Sequence, residues 1–105
     1  MAYLASYSEV APDRAEIDVM PGMVLIEFGV DWCPHCQGAQ PFIEAALGEF
    51  STLPHLKVED GPGRRLGRSF RVKLWPTLIL LRDGQEIGRV VRPANVREIN
   101  ELLLS

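Results

Sequence analysis

Apolar residues along this chain fall into a few short runs and one long helical stripe, and the spacing inside each predicts its conformation. "MVLIEFGV" (residues 23–30) is a short run rich in strand formers beside glycines, which predicts a strand covered on both faces. From Pro34 to about Phe50, the residues Phe42, Ile43, Ala46, Leu47 and Phe50 recur at three- and four-residue steps, a helical period. Pro41 lies inside that pattern and predicts a kink. "LKVED" predicts a second short strand, and "GPGRRLGRSFRV" a brief helix between glycine breaks. After Trp75 and Pro76, "TLILLR" is a continuous apolar strand, and Asp83-Gly84 marks a hairpin turn into "QEIGRVV". Near the start, "PDRAEIDVM" predicts a helix with Pro12 in its first turn. The terminal "NVREINELLLS" predicts an amphipathic helix opened by a capping box of Asn95 and Glu98. The order is helix, strand, long helix, strand, short helix, hairpin, helix, an α/β layered pattern around a mixed parallel and antiparallel sheet.

Length and composition narrow the function classes. At 105 residues the chain has the size of one domain, expected to span 1–105. Its 47% apolar and 24% charged residues are ordinary for a globular protein. No apolar run approaches the roughly 20 residues needed to span a bilayer, and no membrane partner is expected. The opening "MAYLASYSEVAPDRAEID" has neither a basic start nor a continuous apolar stretch, so a cytoplasmic location is expected. A net charge of −3 without a clustered basic excess argues against nucleic acid as a partner.

The two cysteines, Cys33 and Cys36, both lie in "DWCPHCQ", where a redox pair, half a metal site or two buried small hydrophobes compete as readings. A metal needs about four ligands, and only His35 and His55 supplement the cysteines, so no metal is expected; on the redox reading no other cofactor is needed, because the pair itself stores two electrons. Redox chemistry suits the spacing. Cys33 at the mouth of the long helix faces unpaired N–H groups and the positive end of the helix dipole, which favour thiolate. Cys36, one turn deeper, is less exposed and less ionised. Cys33 is thus the expected attacking thiol and Cys36 the resolving one. Pro34 fits the first helical position, His35 adds positive charge if protonated, and Asp31 works mildly against the thiolate.

"WCPHC" after an apolar strand, Pro41 five residues beyond the second cysteine, "WPT" before "LILL", the Asp-Gly turn and the terminal amphipathic helix together resemble the thioredoxin family. The similarity runs from about Met20 to Leu104. It implies a thioredoxin-like three-layer fold, a mixed sheet of about four strands flanked by helices. The Pro-His dipeptide between the cysteines resembles that of the periplasmic oxidant DsbA, although the chain is too short for that protein's inserted helical domain.

The resemblance also suggests roles. Glu27, six residues before Cys33, aligns with the family's buried aspartate, and it is expected to have a pKa raised by desolvation and to move protons for Cys36. Lys57 resembles a family lysine near that acid, which would allow a Glu27–Lys57 pair; neither His55 nor Lys57 is assigned to catalysis. Pro76 is expected to be cis, and the backbone of Trp75 to hydrogen-bond a substrate chain in a groove that the bulky side chain narrows. Trp32, Pro34, Trp75 and Pro76 are the expected substrate contacts. Arg64, Arg68 and Arg71 share a helical face, read as solvated, with an acidic partner or glutathione's carboxylates as the other reading. Arg92 replaces a family glycine.

The function implied is a thiol–disulfide oxidoreductase acting on protein disulfides or dithiols, with a reductase or glutathione as electron donor, net reduction in the cytoplasm, and a monomeric state. A redox sensor or docking module, and a glutaredoxin-type glutathione-linked reductase, are the alternatives. His35 is expected to lower the Cys33 pKa and to make the pair more oxidising than thioredoxin's.

Overall fold

The computed structural model describes residues 3–105; Met1 and Ala2, part of the opening read for a leader, lie outside the described residues. The elements in chain order are α1 (Arg14–Asp18), β1 (Met23–Gly29), α2 (Pro34–Gly48), β2 (His55–Glu59), α3 (Arg65–Ser69), β3 (Thr77–Arg82), β4 (Gln85–Val91) and α4 (Val96–Leu103). The sheet order is β2-β1-β3-β4, with β1 parallel to β2 and the other pairs antiparallel. This is the expected mixed sheet of four strands flanked by helices.

The period-two alternation of strands sorts side chains onto two faces. Leu25, Leu78 and Leu80 point to one face and pack against Ala39, Ile43, Ala46 and Leu47 of α2 and Ile99, Leu102 and Leu103 of α4. Val24, Ile26, Phe28, Ile79 and Leu81 point to the other, against Ile17 of α1 and Leu66 and Phe70 around α3. Both faces are covered, which is why β1 and β3 read as continuous apolar runs. Glu27 shares the face of Leu25 and is fully buried beneath α2.

Local corrections have local causes. Pro12 lies outside α1; Asp13 caps it, its side chain accepting from Glu16 N–H while Glu16 accepts from Asp13 N–H, a reciprocal box that fixes the start one residue later. At α4 the expected box is only half made: Asn95 accepts from Glu98 N–H, but the Glu98 carboxylate takes the N–H of Ala94 instead. Helix α2 continues through Pro41 to Gly48. Arg64, Arg68 and Arg71 do not share one helical face, because α3 spans five residues and Arg71 sits beyond it at φ 58°. The three instead line one cavity of about 600 Å³ with Lys73 and Trp75.

Candidate active site

The C-terminal end of β1 delivers the chain to the start of α2, and the two cysteines sit at that junction. Cys33 occupies the N-cap with extended backbone, its carbonyl accepting from Gln37 N–H, and Pro34 follows where a missing N–H costs nothing. Cys36 faces inward from the first turn and is 1% exposed, against 7% for Cys33. Both are free thiols, packed with Tyr7, Val30 and Trp75.

The thiols differ in acidity. Burial pushes Cys33 up, but the backbone amides of Cys36 and His35, the Cys36 thiol and the charge of Arg92 outweigh it and leave Cys33 below the ordinary cysteine value. Burial dominates at Cys36 and pushes it up to about 11. The expected asymmetry is therefore present, with the expected causes of helix-start N–H groups at Cys33 and deeper burial at Cys36; the difference is that His35 is exposed and contributes its backbone N–H, while the side-chain cation acting on Cys33 is Arg92. Asp31 is occupied elsewhere, its Oδ1 accepting from Tyr7 N–H at 3.1 Å.

Trp32 is 71% exposed and meets half-buried Trp75 edge to face, ring centres 6.0 Å apart, forming an aromatic lip beside Cys33. Trp75 is not swallowed by the core: its indole N–H donates to Asp60 at 2.8 Å, which holds the ring at the surface. The Trp75–Pro76 bond is cis, and Pro76 is buried. Arg92, at φ 50°, donates from Nε to the Trp75 carbonyl at 2.8 Å. Trp32 and Pro34 thus flank Cys33 in sequence, and Trp75, next to the cis Pro76, packs against the cysteine pair.

Glu27 lies deeper. Its Oε2 accepts from the Tyr7 hydroxyl and, at 2.9 Å, from Gln40 Nε2, and its Oε1 lies 2.9 Å from His55 Nε2. His55 Nδ1 accepts from Leu4 N–H at 3.0 Å, so the ring hydrogen sits on Nε2 and points at Glu27. Lys57 Nζ is 4.0 Å from Glu27 Oε2 and donates to Gln40 Oε1 and to the carbonyls of Leu4 and Ala5. Burial raises the Glu27 pKa, but the His55 hydrogen bond, the Lys57 charge and the hydrogen bonds from Tyr7 and Gln40 together hold it below the ordinary carboxylate value. This corrects the expected upward shift: desolvation alone predicted it, and the ring of donors reverses it. The Glu27–Lys57 pair exists, while Tyr7, Gln40 and His55 complete a network that no sequence pattern announced. His55 and Lys57 both lie in β2, the strand paired with the one bearing Glu27.

Among the described residues no cluster of three or more His, Cys, Asp or Glu side chains is placed to hold a metal ion, and no helix is long and apolar enough to cross a membrane.

Comparison with known proteins agrees with this geometry. The sequence profile of the thioredoxin family matches residues 9–105. The solved structure of thioredoxin 2 from Pseudomonas aeruginosa PAO1, in its reduced form, shares 55% identity and superposes with a TM-score of 0.86, covering 94% of this chain and 92% of that one. Thioredoxin from Chlamydia trachomatis is 37% identical over 82 residues, 78% of this chain and 80% of that protein. Rice thioredoxin H2-1 is 35% identical over 69 residues, 66% of this chain, which spans half the length of the rice protein. A cysteine pair of unequal acidity at the head of α2, an aromatic lip beside it and a family match across nearly the whole sequence place this chain in the thioredoxin family of thiol–disulfide oxidoreductases.

Proposed function

We propose that this chain, acting as one domain, reduces disulfides of protein substrates in the cytoplasm. The Cys33 thiolate attacks a substrate disulfide, forming a Cys33–substrate bond while the displaced substrate sulfur leaves with the electron pair. Cys36 then attacks Cys33, closing the Cys33–Cys36 disulfide and releasing the second substrate sulfur. A dithiol reductase or glutathione would return the pair to its reduced form. Trp32, Pro34, Trp75 and Pro76 would contact the substrate segment, and Glu27 would serve proton traffic at Cys36.

The single observation that carries this reading is the unequal pair: one thiol poised as thiolate at a helix start, the other held protonated until needed. The test is insulin reduction with dithiothreitol, followed by trapping. Cys33→Ser should abolish turnover, and Cys36→Ser should accumulate a covalent adduct with substrate protein through Cys33. Turnover persisting in Cys33→Ser, or no adduct in Cys36→Ser, would refute the assignment.

A further inference from the structure

Tyr7 belongs to the extended segment that precedes α1, and that segment is pinned along the outer edge of β2: Ser8 N–H donates to the Lys57 carbonyl at 2.8 Å, and Glu59 N–H donates to the Ser8 carbonyl at 2.9 Å. The Asp31 carboxylate holds Tyr7 N–H from the active-site side. The phenol is thereby fixed with its hydroxyl donating to Glu27 Oε2 and its ring packed in one cluster with Cys36. Space for this approach comes from Gly29: a Cβ there would lie 2.6 Å from both Cys36 Sγ and Tyr7 Oη. Glu27 itself makes no hydrogen bond to Cys36; its oxygens are taken by Tyr7, Gln40 and His55.

We propose that the Tyr7 hydroxyl carries the proton between Cys36 and Glu27. The proposal rests on the reading that Cys36 resolves the mixed disulfide. As the Cys36 sulfur bonds to Cys33, its proton passes to Tyr7 Oη while the Tyr7 proton passes to Glu27 Oε2. The Cys33–substrate bond breaks, and the substrate sulfur leaves with that electron pair and takes a proton from solvent. Glu27 returns its proton through Tyr7 to the cavity of about 100 Å³ lined by Tyr7, Asp31, Cys36, Gln40 and Lys57, large enough for water.

The two transfers are concerted. Burial and the neighbouring Glu27 charge disfavour a tyrosinate, which favours concerted transfer over a stepwise path through one. The groups facing the phenol are Glu27, Cys36 and Lys57, whose Nζ lies 4.6 Å from the ring centre, with Asp31 at its backbone and His55 and Tyr3 beyond.

The probe is an aromatic disulfide that releases a coloured thiolate in two phases, the first set by Cys33 attack and the second by Cys36 resolution; the quantity read is the ratio of the two rates. In Tyr7→Phe the second phase should slow relative to the first by about 10-fold or more near neutral pH, within the range of general acid–base catalysis. The deficit should shrink as pH approaches the Cys36 value of about 11. Adding Glu27→Gln to Tyr7→Phe should slow it no further, because the two act as one unit. An unchanged ratio, a deficit constant with pH, or an additive loss in the double variant would overturn the proposal. Independently of any variant, the solvent isotope inventory of the second phase in the unmodified protein should be curved, reporting two protons in flight; a linear inventory overturns it. A second phase persisting in Cys36→Ser would instead show that the resolving assignment itself fails.

Discussion

Arg92 occupies a left-handed backbone position at φ 50°, where glycine is the least strained residue, so its side chain must contribute enough to justify its presence. It does two things: it places a positive charge near Cys33 and it hydrogen-bonds the Trp75 carbonyl. Arg92→Gly should therefore raise the Cys33 pKa, followed by thiolate absorbance in the ultraviolet, and the difference from the unmodified protein should fade with added salt because Arg92 is exposed and screened. His35→Ala should move Cys33 less than Arg92→Gly does, since His35 acts through a backbone amide that alanine retains. The reverse ranking would restore the imidazole as the controlling cation. The sequence showed His35 because it lies inside the motif; Arg92, 59 residues after Cys33, becomes its neighbour only through the fold.

At the level of elements, strand and helix identities were legible because their apolar spacing is local, while their docking was not. Asp83 and Gly84 form the expected tight turn, with φ 49° and 81°. Only the structure shows that Gly84 also seats α1: a Cβ there would lie 2.1 Å from the Asp18 carbonyl oxygen, a backbone atom that cannot step aside. Gly84→Ala should thus destabilise by about 2–4 kcal/mol, combining left-handed strain with the displacement of α1. The measurement is the urea midpoint at constant slope; a loss under about 0.5 kcal/mol would mean that α1 tolerates the shift. The candidate site divides the same way. Cys33, Cys36, Trp32 and Trp75 announce themselves in two short motifs, and Glu27 by interrupting an apolar strand. Tyr7, Gln40 and His55 carry no local signature, since their meaning lies in converging on one buried carboxylate from three separate segments.

For the molecule as a whole, that carboxylate ties folding to acidity. Glu27 has a lower pKa folded than unfolded, so the unfolded chain binds more protons in acid. The stabilisation is fully present above the ordinary glutamate value of about 4.3 and is lost as pH falls through the lower folded value. Urea unfolding between about pH 2 and 6 should show a steeper acid loss for the unmodified protein than for Glu27→Gln; equal slopes would place the acid sensitivity in surface carboxylates. The sheet edge adds a different dimension. The strip from Tyr3 to Ser8 lies ahead of residues 9–105, the part shared with the family profile, yet it supplies the phenol against Cys36 and the backbone groups that hold His55 and Lys57. Two chains could keep the same cysteine motif and the same layered core and still differ in how long a covalent complex with a client protein survives. On the proposed relay, that lifetime would be set by a few residues at the margin of the sheet and not by the motif alone.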